Sequence, residues 1–498
     1  MNVNPITRLD YPDPDVIRVE DTYYMVSTTM HFMPGCEILQ SFDLVHWEHV
    51  TYVYETLDHT DAQQLKSGQN IYGQGMWAAS LRYHEGRFCI CFVANDTRKT
   101  YLYTSEKIDG PWKKQLIEGF YHDGSLLFDE DGRNYIVYGN DEIWITELNE
   151  DLTAPKKDGL HRLLVSDHKN PELGYEGSHI QKINGYYYIF LIHSLRDRWM
   201  RTEACFYSDS LEGEFTGGDV LCDDRGYCGQ GVAQGGIVDT PDGKWYAMLF
   251  QDSGAVGRIP ILLPVTWKDH FPFFGQNGHV PEEIEVHSTR PGYIYQPLVG
   301  SDDFCNGLLP RWQFNHDPDP RYYHLDALQG TYTITTREVC TELTQAVNTL
   351  TQRMSYPSCA VEVTVDASAL KEGDVAGLCA LQSCYAAVGI TKHHGKYEVL
   401  MLDKKEDGIL DMTEGTVVES HQMDFRLEAD FCNMKDEARC YYRVNKGDWL
   451  PIGTVHKLYF KLDHFTGCRF GLFCYAAEET GGSACFRDFK YYDVDEIS

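Results

Sequence analysis

Asp13, Asp123 and Glu176 are the residues of this sequence best suited by type and spacing to do chemistry. Each stands nine residues before a turn of one recurring kind, and Trp77 and Gln234 stand at the same offset before two further turns. Two carboxyl groups facing a common space can divide acid and base work: one gives a proton to a departing oxygen, the other activates water or attacks carbon. A third can tune the proton affinity of its neighbours. Acids make up 75 of 498 residues, so three carboxylates in five matched positions exceed what composition supplies. Like charges facing one another cost free energy, which favours a working site over a solvated ring.

The elements that must position these residues are short strands. The turns are Glu20-Asp21-Thr22, Glu85-Gly86-Arg87, Asp131-Gly132-Arg133, Asn184-Gly185-Tyr186 and Asp242-Gly243-Lys244, four of which carry the glycine that a tight hairpin's positive φ requires. Aromatic-rich strands follow them, such as Phe88 to Val93 and Tyr188 to Ile192. Segments around Ser41 to Trp47, Ser105 to Trp112 and Ser208 to Phe215 look like the outer edges of the same units. The period of roughly 46 to 65 residues matches the blades of a propeller, and five copies predict five blades. The innermost strand of each blade lines the channel, so matched positions form a ring around the axis. Helical periodicity is scarce, which predicts an all-β chain.

The formal net charge of −32 repels phosphate backbones and anionic lipid, which excludes nucleic acid and membranes as partners and favours neutral substrates. The sixteen cysteines lack the paired spacing of a zinc site. No basic segment followed by an apolar run opens the sequence, and no apolar stretch approaches the ~20 residues that span a bilayer, so a cytoplasmic protein is expected.

At the acids the sequence resembles glycoside hydrolase family 43, whose β-xylosidases and α-L-arabinofuranosidases are five-bladed propellers that act by inversion. The matching segments are Asn4-Pro5 with Tyr11-Pro12-Asp13-Pro14-Asp15, Met76-Trp77-Ala78, His122-Asp123-Gly124-Ser125-Leu126, Tyr175-Glu176-Gly177-Ser178-His179 and Gly257-Arg258. The resemblance implies that Asp13 is the general base, Glu176 the general acid, and Asp123 the residue that orients the acid and raises its pKa. Asp13 lies between Pro12 and Pro14, which predicts a rigid extended entry to the first strand. Arg258 is expected to reach the hydroxyls of the terminal sugar and Trp77 to wall the pocket. The segment from His31 to Gly35, with Phe32, is expected to shape the floor beside Met30, a position often aromatic in the β-xylosidase branch. Gln234 replaces a histidine that in some members approaches a channel calcium. No metal ligand set and no required cofactor are therefore expected, with a structural calcium ion in the channel left open. The segment Arg201 to Phe206 reads as an outer strand with a structural role only.

The blade repeat ends near residue 295, and from 300 to 498 regular short strands predict a β-sandwich packed on the propeller. The resemblance makes it a lectin-like jelly roll that lends a loop to the pocket rim, closing it for exo action. The expected function is release of terminal α-L-arabinofuranosyl residues, with β-D-xylosyl as a second activity, from arabinoxylan, arabinan or xyloglucan oligosaccharides. The competing readings are a β-D-xylosidase as main activity, a sugar-binding propeller without catalysis, and a retaining fructan or sucrose hydrolase on the same five-bladed fold.

Overall fold

A computed structural model describes residues 2–413 and 415–493. Five four-stranded antiparallel sheets follow one another along the chain. The first consists of Asp15–Val19, Thr22–Val26, Gly35–Ser41 and Glu48–Tyr54, and the fourth of Glu176–Ile183, Tyr186–Ser194, Arg201–Ser208 and Thr216–Leu221. The other inner strands are Met76–His84, Ser125–Phe128 and Val232–Asp239. The protein is thus an all-β, five-bladed propeller followed by a β-sandwich, and among the described residues the helices are three-residue 3₁₀ turns.

Hydrogen bonds between neighbouring inner strands set the blades around one axis. Asp15 Oδ2 accepts the Leu81 N–H at 2.7 Å, Ser80 Oγ that of Leu126 at 3.1 Å, and Ser125 Oγ that of Ile180 at 3.0 Å. Across the channel Asp15 also meets Arg82 Nη1 at 2.8 Å and His179 Nδ1 at 3.1 Å. Burial opposes charge on Asp15, but Arg82 and His179 outweigh it and hold the carboxyl below its usual value.

The segments at Ser41, Ser105 and Ser208 differ from the expected blade edges. They are turns running from the third strand to the fourth, because the third strands end at Ser41, Ser105 and Ser208 themselves. Arg201–Ser208 is likewise a third strand, flanked on both sides, and not the outer one.

In the sandwich, Cys359, Val361, Val363 and Val365 of Ser358–Asp366 enter the apolar core from alternate positions, while Ala360, Glu362 and Thr364 between them are buried on the other face. The sandwich is locked to the propeller through backbone and core alike. Its larger sheet continues through Gln313–Asn315 onto the propeller segment Phe32–Met33, and Ala255, Val256 and Ile259 of blade five join its apolar core.

Candidate active site

The acids gather at one mouth of the channel, but not in one strand register. Asp13 and Asp123 precede their inner strands, Glu176 opens its strand, and Trp77 and Gln234 fall inside theirs. β-bulges between Met76 and Ala79, Glu176 and His179, and Ala233 and Gly236 add a residue to three of the five strands, which explains the offset. Asp13 is not extended as its flanking prolines predict: its φ is 53°, with 47° at Asp123 and 61° at Gln234. Left-handed backbone at non-glycine residues is costly, and three of the five ring positions adopt it.

Asp13 is gripped from two sides. Arg258 Nη1 lies 3.0 Å from Oδ1, and Thr28 Oγ1 donates to Oδ2 at 2.6 Å. Arg258 is 2% exposed, so it is a buried counter-ion and not a surface pair. Its Nη2 donates to the Phe465 carbonyl at 3.3 Å, and its guanidinium stacks 4.2 Å from the Phe465 ring. Phe465 comes from the sandwich, on a loop tied down where Asp10 accepts the backbone N–H groups of both Gly467 and Arg258 at 2.8 Å.

Glu176 and Asp123 form a second group with His122, whose ligand atoms all lie within 4.8 Å of one another, and Asp13 stands outside it. His122 Nε2 is 3.5 Å from Asp123 Oδ2 and 3.6 Å from Glu176 Oε2. Asn140 Nδ2 donates to Glu176 Oε2 at 2.7 Å, and the Gly177 N–H donates to Asp123 Oδ2 at 3.0 Å. Asp123 therefore holds the backbone next to the expected acid. Gly177 has φ 64°, and a Cβ there would come 2.8 Å from the Gln234 side chain, so only glycine fits.

Burial disfavours charge on His122, but Asp123, Glu176 and Asp13 together outweigh it and push its pKa up to about 9. Burial raises Asp123 to about 6, with His122 opposing and Glu176 and Asp13 assisting. At neutral pH the histidine is a cation set among the acids. These donor types suit a divalent ion, which would have to displace that proton to bind.

Of the remaining expected residues, Trp77 lies 5.6 Å from Phe465 and 5.7 Å from His122, ring to ring, and so walls the site. Among the described residues, buried Trp77 Nε1 and Arg258 Nε make no protein hydrogen bond. Gln234 is buried beside Gly177, its N–H accepted at 2.7 Å by Glu203 Oε2. Glu203 is fully buried, which raises its pKa well above the carboxylate range. The strand of Arg201 and Glu203, read from sequence as structural only, thus supports the ring. Met30 and Phe32 are both buried: Met30 pairs through its backbone with Met76, and Arg469 lies 3.5 Å over the Phe32 ring.

His122, Asn140, Thr28 and Phe465 were not singled out by sequence reasoning. His122 lay within a recognised segment, and its place beside Asp123 was its signal. The other three have no local pattern that marks them.

Carboxyl groups able to divide acid and base work thus stand together at the mouth of a five-bladed propeller. The family model for glycosyl hydrolases family 43 matches residues 3–272, and that for the β-xylosidase C-terminal concanavalin A-like domain matches 301–492. The chain belongs to glycosyl hydrolases family 43. It is 26% identical to a β-xylosidase of Formosa agariphila, across 99% of this chain and 89% of that protein. A structure of a bifunctional GH43-CE protein of Bacteroides eggerthii superposes on all of this chain with TM-score 0.93 and 42% identity, and this chain spans 64% of it. A GH43 enzyme engineered to display both endo-xylanase and exo-arabinofuranosidase activity matches 99% of both chains at 26% identity and TM-score 0.88.

Proposed function

We propose that the protein is an exo-acting, inverting glycoside hydrolase that releases terminal pentosyl residues, α-L-arabinofuranosyl first and β-D-xylosyl second, from oligosaccharides of arabinoxylan, arabinan or xyloglucan. The observation that carries this reading is the separation of the acids into two differently held groups. Asp13, fixed by Arg258 and Thr28, takes the proton of an attacking water. Glu176, fixed by Asn140, gives a proton to the leaving oxygen. Asp123 orients the acid through Gly177, and His122 balances the charge. Phe465 and Trp77 narrow the mouth, which favours a chain end over a chain interior.

A second reading has one observation in its favour. The oxygens of Asp123 and Glu176 lie within 4.8 Å, close enough for a retaining pair with Asp123 as nucleophile. Against it, Asp123 is raised to about 6 and turned to the Gly177 N–H.

Two variants test the roles. Glu176→Gln should cut turnover of arabinoxylo-oligosaccharides by about 10²–10⁴-fold while sparing much of the hydrolysis of 4-nitrophenyl pentosides, whose leaving group needs no proton. Asp13→Asn should disable both. No hydrolysis of any pentoside by the unaltered protein would leave a sugar-binding propeller instead.

A further inference from the structure

Outward from the catalytic mouth a groove of about 440 Å³ runs between blades four and five and the sandwich, and the catalytic roles above leave it without a task. Trp199 stands on the propeller side, half exposed, and Tyr459, Phe460 and Leu462 on the sandwich side, with Leu462 72% exposed. Its inner end is Phe465, the ring that touches Trp77 and Arg258. Phe465 is thus a wall shared by the groove and the site. The groove adjoins blade four, which carries Glu176, the residue read above as proton donor to the leaving oxygen.

The lining says which chemistry fits. Each charged group in it has a partner of opposite sign: Arg201 with Asp252 at 2.7 Å, Lys457 with Asp436 at 4.0 Å, and Lys461 with Glu406 at 2.8 Å. Arg201 also lies over the Trp199 ring at 5.4 Å, and Lys461 over the Tyr459 ring at 4.4 Å. With its charges paired with one another and its surface built largely from aromatic rings and leucine, the groove leaves no unpaired cation among its described residues for a free carboxylate. It suits a flat, uncharged aromatic ring.

We propose that this groove is a binding site for an aromatic acyl substituent, a hydroxycinnamoyl ester carried on the leaving-group side of the substrate. The proposal rests on the glycosidase reading for its orientation, but the site itself is tested without catalysis. Full-length protein is titrated with methyl ferulate by calorimetry, with free ferulate and xylotriose in parallel. Methyl ferulate should bind saturably and free ferulate more weakly. Trp199→Ala combined with Leu462→Asp should weaken methyl ferulate by about tenfold or more, as expected for loss of a contacting ring and its apolar neighbour. A thermal melt matching that of the unaltered protein establishes that the double variant is folded, and Trp199→Ala alone serves if it is not. The same variant should erase any kinetic preference for feruloylated over saponified oligosaccharides. Absence of saturable methyl ferulate binding, binding unchanged in the folded variant, or displacement by xylotriose would overturn the proposal. Methyl ferulate binding without any pentoside hydrolysis would leave the groove standing and remove the glycosidase reading.

Discussion

Arg258 Nη1 lies 3.0 Å from Asp13 Oδ1, and both side chains are buried. Removing one partner of such a pair strands the other charge. Arg258→Met should lower unfolding stability by about 3–5 kcal/mol, read from urea titration. It should also reduce kcat/KM by about 100-fold through misplacement of the base. Arg258→Lys retains the charge and should lose less of both.

His122 gives a pH signature. Its folded-state pKa of about 9 exceeds the usual 6.5, so its charge stabilises the fold fully below pH 6.5, and that contribution is lost as pH rises through 9. Asp123, raised to about 6, works in the same sense: its ionisation costs the fold as pH climbs from 4 to 6. Thermal melts of His122→Gln should show a deficit on the order of 2–3 kcal/mol at pH 6.5, closing by pH 10. A gap that widens with pH would contradict the assignment.

Glu203 is a neutral prop. Burial raises its carboxyl well above the ordinary range, and Oε2 accepts the Gln234 N–H. Glu203→Gln keeps an uncharged acceptor and should melt close to the unaltered protein. Glu203→Ala leaves that N–H unpaired and should cost about 1–3 kcal/mol, measured by urea unfolding.

The propeller was legible because hairpin turns carry glycine and aspartate at fixed places, and counting back from them reached Asp13, Asp123 and Glu176. The count worked in spite of the bulges, since an added residue shifts a ring position along the channel without removing it from the mouth. The strained φ of Asp13 was hidden because flanking prolines restrict only local sterics, and the grip of Arg258 and Thr28 overrides them. Phe465 was illegible for a different reason: its partner Arg258 is 207 residues distant, and no periodicity links two domains. Glu203 looked structural because a buried carboxyl within a strand declares its purpose only through the neighbour it supports.

The division of labour between Asp13 and Glu176 is tested most directly by proton NMR of the first sugar released from an α-L-arabinofuranoside or β-D-xyloside, recorded before mutarotation. The account predicts the inverted anomer, β-L-arabinofuranose or α-D-xylose. Release of the retained anomer would contradict it and move the nucleophile's role to Asp123.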